Sequence, residues 1–416
     1  MAFDIFPWGP MKRKTGTRDV RQNLMDMKDC GFTASCFIEP KDIPVCREVG
    51  LNPITFLFDT PDSFEVPENQ WEFNMSTEGL PNITRLVQDK TATPEIIEKA
   101  MEQALSQVPE GPARVYIVDE PGASWMPRSN QMVEYVRKHR PELTPYINLF
   151  PNYAVCGAPD LSQLETDTFE EYLDAFCRIV PGMPISIDNY IVLASKEFRT
   201  PGGETIFYQN YIQVREACDK YGVEFHHIIC SNQLRNYQPI PTFNNLLLQA
   251  MTSLAAGARS IAWYTYFGRA GYLWAPVDDN TDEDVRTPTW YLVREVNRRI
   301  QSLGSELSAM RYEGLYFTHP GDLKRAKNIS ECAPITRFVS DERCVIGLYR
   351  DGDEPVVFVV NGSLDHSTRI EAEIQGETPR VWSVEQGKYR APILKTPYAD
   401  PSPMWLAPGE AVILRR

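Results

Sequence analysis

Over its first 310 or so residues the chain alternates short apolar segments with amphipathic ones, eight times in succession. That alternation limits the possible fold more than any other feature. The apolar segments have the length of strands: FDIFPWGP, FTASCFIEP, NPITFLFD, ARVYIVDEPG, TPYINLFPNYA, MPISIDNYIVL, VEFHHIICSNQ and RSIAWYTYFG. The segments between them carry apolar residues at helical spacing. In RDVRQNLMDMKDCG, Val20, Leu24 and Met27 recur and Gly31 closes the run. In TPEIIEKAMEQAL, Thr93 suits the N-cap and Pro94 the first helical position. A strand, a helix and a further strand make a right-handed crossover and a parallel pair. Eight such units are the number that builds a (β/α)8 TIM barrel. A doubly wound open sheet is the competitor, but it has fewer units and a Gly-rich first turn. The first turn here reads WGPMKRKTG and lacks the dinucleotide fingerprint.

Near residue 311 the pattern switches to short segments of period two: YEGLYFTHP, ITRFVSD, CVIGLYRD, PVVFVVNGS, TRIEAEIQ, TPRVWSVEQG and GEAVILRR. Turns such as DGDEP and NGSLD separate them. The expected organisation is a (β/α)8 catalytic barrel over 1–310 and a small antiparallel β-sandwich over 311–416. The sandwich is expected to cap the barrel, with sugar binding as its alternative role. Residues 60–90, with Trp71 and Phe73, read as a long Pro-rich loop. That loop and the segment GRAGYLWAPVDDNTDED are expected to shape a cleft.

The net charge of −14 argues against nucleic acid or an anionic membrane surface as a partner. No run of about 18 apolar residues is present, so membrane insertion is not expected. Nine cysteines are scattered singly, with no metal-knuckle or redox spacing, which suits free thiols in a reducing compartment. The opening MAFDIFPWGP has no basic region followed by an apolar stretch. As it stands the sequence reads as cytoplasmic; removal of a leader would make it periplasmic or secreted. Nothing in it speaks to oligomeric state.

In a (β/α)8 barrel the chemistry sits at the C-terminal ends of the strands. The fourth segment ends in Asp119 and Glu120, followed at once by Pro121 and Gly122. Two adjacent acids there would be a poor helix cap, because the next helical pattern starts only near Arg128. The other strand ends offer Trp8, Glu39, Asp59, Asn148 with Asn152 and Tyr153, and Asp188 with Asn189 and Tyr190. Further along lie Ser231, Asn232 and Gln233, and then Trp263, Tyr264 and Tyr266. Paired carboxylates supply general acid, base or nucleophile. Amides and acids bind hydroxyls, and aromatic rings stack on the apolar faces of sugars.

The stretches VYIVDEPG, YINLFPNY, ISIDNY and LAAGARSIAWYTYFG resemble the (β/α)8-barrel glycoside hydrolase superfamily of the clan-A type, in particular bacterial members acting on glycans. The resemblance implies a glycosidase of carbohydrate metabolism, with a carbohydrate substrate and with Glu120 as acid/base. Two departures stand out. Asp119 occupies the position where that clan has Asn. Strand seven, HHIICSNQ, offers no carboxylate for a nucleophile, since Glu224 precedes it. Three readings repair this. Asp188 serves as the partner carboxylate; or Asp119 and Glu120 act as in a substrate-assisted N-acetylhexosaminidase; or the barrel binds glycans without cleaving them. Glu39 and Asp59 are reserves. Trp8, Glu39, Asn148, Asn152, Tyr153, Asn189, Tyr190, Gln233, Trp263, Tyr264 and Tyr266 are the expected substrate contacts. A metal-dependent sugar isomerase or aldolase would need ligands such as His226 and His227, which sit early in strand seven, while strand eight has no carboxylate. Neither metal nor cofactor is therefore expected. The Glu120–Asp188 separation should discriminate: about 5–5.5 Å implies retention and about 6.5–9.5 Å inversion.

Overall fold

The computed structural model describes residues 3–11, 18–59, 81–157, 162–190, 201–234, 240–268, 272–278, 285–392 and 404–416. Its first part contains the expected strands: Asp4–Trp8, Ala34–Ile38, Asn52–Thr55, Ala113–Asp119, Leu143–Asn148, Ile185–Asp188, Phe225–Cys230 and Ala258–Tyr264. They are called first to eighth below. The second to fifth form one four-stranded sheet, and the first, eighth, seventh and sixth, in that order, form another. Every pair is parallel. Parallel bridges at Pro10–Phe37 and Leu149–Ile187 join the edges of the two sheets. At these bridges Met11 N donates to Phe37 O at 2.9 Å and Leu149 N to Ser186 O at 2.8 Å.

Helices follow the strands as their caps predict. Asp19 caps Val20–Asp29 in a capping box with Gln22, Thr93 accepts from Ile96 N ahead of Pro94–Ser106, and Thr168 and Glu171 box the start of Phe169–Ile179. The strands are buried on both faces, which is why they read as near-continuous apolar runs. On one face an aromatic cluster that includes Phe6, Trp8, Phe37, Phe56, Tyr116 and Tyr146 fills the space between strands. Within it the Trp8 and Phe37 rings lie 4.8 Å apart edge to face. The other face packs on the helices in a larger apolar layer.

After the helix Pro288–Ser308 the chain turns to β-structure. A seven-stranded sheet and a three-stranded sheet face each other across Ile346, Leu348, Val357, Val359, Ile370, Ile374 and Leu406. Two features differ from expectation. The two-residue strand Lys327–Asn328 pairs parallel with Arg311–Phe317, so the sheet is not wholly antiparallel. The strand Glu354–Asn361 is buried almost throughout rather than alternately. Its second face, with Val356, Phe358 and Val360, joins the layer of the helices. There the Tyr349 hydroxyl donates to Leu254 O on helix Phe243–Ala255. A Cβ on Gly347 would lie 2.5 Å from Ala255 O, so only glycine permits this approach.

The first part of the expected loop, with Trp71 and Phe73, lies outside the described residues. Residues 81–90 carry the short helix Arg85–Gln88 rather than irregular chain. Of GRAGYLWAPVDDNTDED, 269–271 and 279–284 also lie outside; Val277–Asp278 pairs with Val285–Arg286 in a small hairpin. All nine thiols are unpaired, and Cys156 alone of them is exposed. Among the described residues no helix is long and apolar enough to cross a membrane.

Candidate active site

Two local irregularities build the site. Between Tyr116 and Val118 the register of the fourth strand against the fifth shifts by one residue. Ile117 and Val118 both face the helix layer, whereas Tyr116 joins the inner aromatic cluster. The bulge thereby returns Asp119 to the inner face, directly opposite Asn148 in the ladder. The next residue, Glu120, has φ +47°. The left-handed region costs a side-chain-bearing residue about 1–2 kcal/mol. Here it breaks the alternation of a strand, so two adjacent carboxyls share one cluster instead of pointing to opposite faces. Glu120 N donates to Asn148 O at 2.8 Å and fixes the turn. Beyond Pro121 and Gly122, the Glu165 carboxylate accepts from Ser124 Oγ at 3.0 Å and from Ser124 N, pinning the following loop.

Three acids meet at the ends of the fourth and sixth strands. Asn148 Nδ2 donates to Asp119 Oδ1 at 3.0 Å and to Asp188 Oδ1 at 3.0 Å. The Trp8 indole also hydrogen-bonds Asp119. Glu120 and Asp188 hydrogen-bond to each other directly. Burial is the largest cause raising all three carboxyls above their ordinary values. Asp188 and then Asp119 repel the Glu120 anion further, and Glu120 rises most, to about 10. Asp188 is held lower by its bonds from Asn148 and Glu120. The proton of the pair therefore rests on Glu120, and Asp188 carries the charge.

Several expected residues gather round this cluster. Tyr190 bonds Asp188 and stacks on Tyr264, with centroids 5.3 Å apart and planes 17° from parallel. The Tyr153 hydroxyl accepts from Tyr190 N at 3.3 Å, and loss of solvation, with the charge of Asp188 second, raises its phenol. Trp8 is in the cluster but buried, as a donor to Asp119 rather than an open platform. Asn148 bridges two acids rather than standing free for a sugar hydroxyl.

Others point elsewhere. Trp263 alternates outward from Tyr264, is 0% exposed, and donates from Nε1 to Asn297 Oδ1 at 2.8 Å. It is a core residue. Trp263→Phe should cost about 1–3 kcal/mol, because Asn297 Oδ1 is left buried without its donor. Chemical denaturation should reveal this with KM unchanged; a raised KM with full stability would return Trp263 to the site. Tyr266 is also core: its hydroxyl donates to Asp26, which Trp290 Nε1 meets at 3.1 Å. Asn152 and Asn189 reach the helix Pro201–Tyr221, through Gln213 Oε1 at 2.9 Å and Asn210 Oδ1 at 2.9 Å. Glu39 pairs with Lys41 at 2.9 Å, and buried Asp59 is taken by Arg85. Gln233 lies past the seventh strand, in a two-residue strand paired with Tyr272–Leu273. Ser231 Oγ and Asn232 Nδ2 donate to the main chain at Thr265 and Tyr264.

The histidines part company. His226 stacks on Tyr146 and meets Glu224, while His227 Nδ1 bonds Ser253 Oγ at 2.6 Å on the helix side. Burial pushes His227 down to about 3, so it is neutral. Among the described residues, no group of three His, Cys, Asp or Glu side chains is arranged to hold a metal ion. The sequence reading missed the supports behind the acids: Ser186 Oγ donates to Asn148 Oδ1 at 3.0 Å, and Tyr146 Oη lies 3.0 Å from Ser186 Oγ. Ser186 shares a strand face with Asp188, and that periodicity was the available signal.

No protein-family model and no curated protein matches the chain. Among solved structures it is similar to an alpha-amylase from H. orenii, with TM-score 0.50 and 10% identity over 100% of this chain and 99% of that one. It is also similar to Eubacterium rectale Amy13B, with TM-score 0.49 and 9% identity over 100% of this chain and 95% of that one. The likeness to the alpha-amylase is one of fold.

Proposed function

We propose that the protein is a glycoside hydrolase, with Glu120 as proton donor and Asp188 as partner carboxylate. The observation that carries this is the Glu120–Asp188 hydrogen bond inside a buried trio of acids at the strand ends. A proton donor has to hold its proton at working pH, and burial with two flanking acids achieves that. The two parallel sheets close into one (β/α)8 barrel over 1–310, with the sandwich 311–416 packed on it; the bridges at Pro10–Phe37 and Leu149–Ile187 support the closure. Tyr190 and Tyr264 form the aromatic surface for a sugar ring, and Tyr153 adds a hydroxyl at its edge.

The same contact favours a second reading. Carboxyls that flank an anomeric carbon stand about 5–5.5 Å apart in retaining enzymes and about 6.5–9.5 Å apart in inverting ones. A direct hydrogen bond is shorter than either, so the pair has to separate as a sugar enters. If it does not separate, the nucleophile is the substrate's own acetamido oxygen, with Asp119 orienting the acetamide and Glu120 protonating the leaving oxygen.

The reading is tested by incubating the protein with a panel of oligosaccharides and following new reducing ends. Release is expected, at a rate unchanged by exhaustive chelation, because the proposed chemistry uses carboxyl groups and no set of side chains among the described residues is arranged to hold a metal ion. No release from any glycan would overturn it in favour of a binding barrel. Loss with EDTA and recovery with magnesium or manganese would overturn it in favour of a metal-dependent isomerase or aldolase.

A further inference from the structure

Asn148 touches all three acidic positions. Its amide nitrogen donates one hydrogen to Asp119 Oδ1 and the other to Asp188 Oδ1, each at 3.0 Å. Its main-chain carbonyl oxygen accepts from Glu120 N at 2.8 Å. The side chain is 2% exposed, and its orientation is not arbitrary. Ser186 Oγ donates to Asn148 Oδ1 at 3.0 Å. Ser186 has a single hydroxyl hydrogen, so Tyr146 Oη is the donor in its 3.0 Å bond to Ser186 Oγ. The relay Tyr146, Ser186, Asn148 thus holds the amide with its NH2 towards the acids. An NH2 group only donates, so the two aspartate oxygens it meets accept and carry no proton.

We propose that Asn148 is the positioning residue that sets the order in which the acid trio gives up its protons: its two donors favour the anions of Asp119 and Asp188 and leave the last proton to Glu120. This rests on the reading of Glu120 as proton donor. It assigns the residue a part other than binding sugar. Without the two donors, the trio would hold buried, adjacent anions with less compensation. The cheapest response is uptake of a second proton by Asp119 or Asp188. Facing the trio from the surrounding elements are the phenols of Tyr116, Tyr153, Tyr172 and Tyr190 and the thiol of Cys230. All are pushed up by burial and stay neutral through the range concerned.

The test needs no substrate. Infrared difference titration of the intact protein reads the C=O stretch of protonated carboxyls directly. The wild type should keep such a band at about pH 8.5, above the values to which Asp119 and Asp188 are raised and below that of Glu120, and Glu120→Gln should remove it, which assigns it. Asn148→Leu deletes both donors but keeps the main-chain bond to Glu120; at the same pH it should gain up to about one protonated carboxyl per molecule. Ser186→Ala frees the amide to turn and should give a smaller gain in the same direction. It decides the matter alone if Asn148→Leu does not fold. A wild type without the band, or folded variants without any gain, would overturn the proposal. A protein that hydrolyses no glycan would leave this measurement intact, so failure of the enzymatic reading and failure of this one are told apart.

Discussion

Asp188→Asn is expected to be nearly inactive on every glycoside, activated or not, with a loss on the order of 10⁴-fold. A better leaving group bypasses the need for a proton donor but not the need for a nucleophile or base. Asp188 is buried, carries the charge of the pair, and bonds both Asn148 and Glu120. Its amide replacement keeps the shape and removes the anion. If the enzyme retains configuration, Asp188→Gly, which does vacate the space, should regain turnover of an activated glycoside when azide is added. Asp119→Asn separates the two readings of the site. With Asp188 as partner, this variant keeps measurable activity on sugars with and without an acetamido group. With the acetamido group as nucleophile, it is the crippling change, and only N-acetylated glycosides are cleaved by the wild type. Assaying both variants on paired glycosides decides; a fully active Asp188→Asn enzyme ends the two-carboxylate account.

Glu120→Gln should also change how stability depends on pH, and the sign follows from the direction of the shift. A carboxyl raised in the folded protein keeps a proton that the unfolded chain releases. Stability is therefore lost as pH rises from the ordinary value of 4.5 towards about 10. Glutamine is neutral in both states and removes that slope. At pH 8 the variant should be more stable than the wild type by on the order of a few kcal/mol. At pH 4 to 5 the two should be close. Urea unfolding at both pH values measures it; an equal difference at the two would mean that Glu120 is not held protonated by the fold.

Much of this was readable in the sequence, because the eight alternations and the cap residues are local signals. The acids at the end of the fourth strand were readable too. What gathers them was not. The bulge between Tyr116 and Val118 and the left-handed Glu120 arise from register against the fifth strand, and register is a property of two segments. Two aromatic residues of the eighth segment are core for simpler reasons: strand alternation with Tyr264 inward puts Trp263 outward, and Tyr266 lies past the end of the strand Ala258–Tyr264, where that alternation no longer holds. Asn152 and Asn189 show that amides at strand ends also serve to tie down the next helix. The strand Glu354–Asn361 looked like an ordinary sandwich strand until helix Phe243–Ala255 covered its second face.

The central claim is that Glu120 delivers the proton. It is tested most directly by the turnover of Glu120→Gln on a natural glycan and on an aryl glycoside with a very good leaving group. General acid catalysis contributes about 10²–10⁴-fold, so the variant should lose that much on the glycan and far less on the aryl glycoside. Near-normal turnover of the glycan by a folded Glu120→Gln protein would contradict the account.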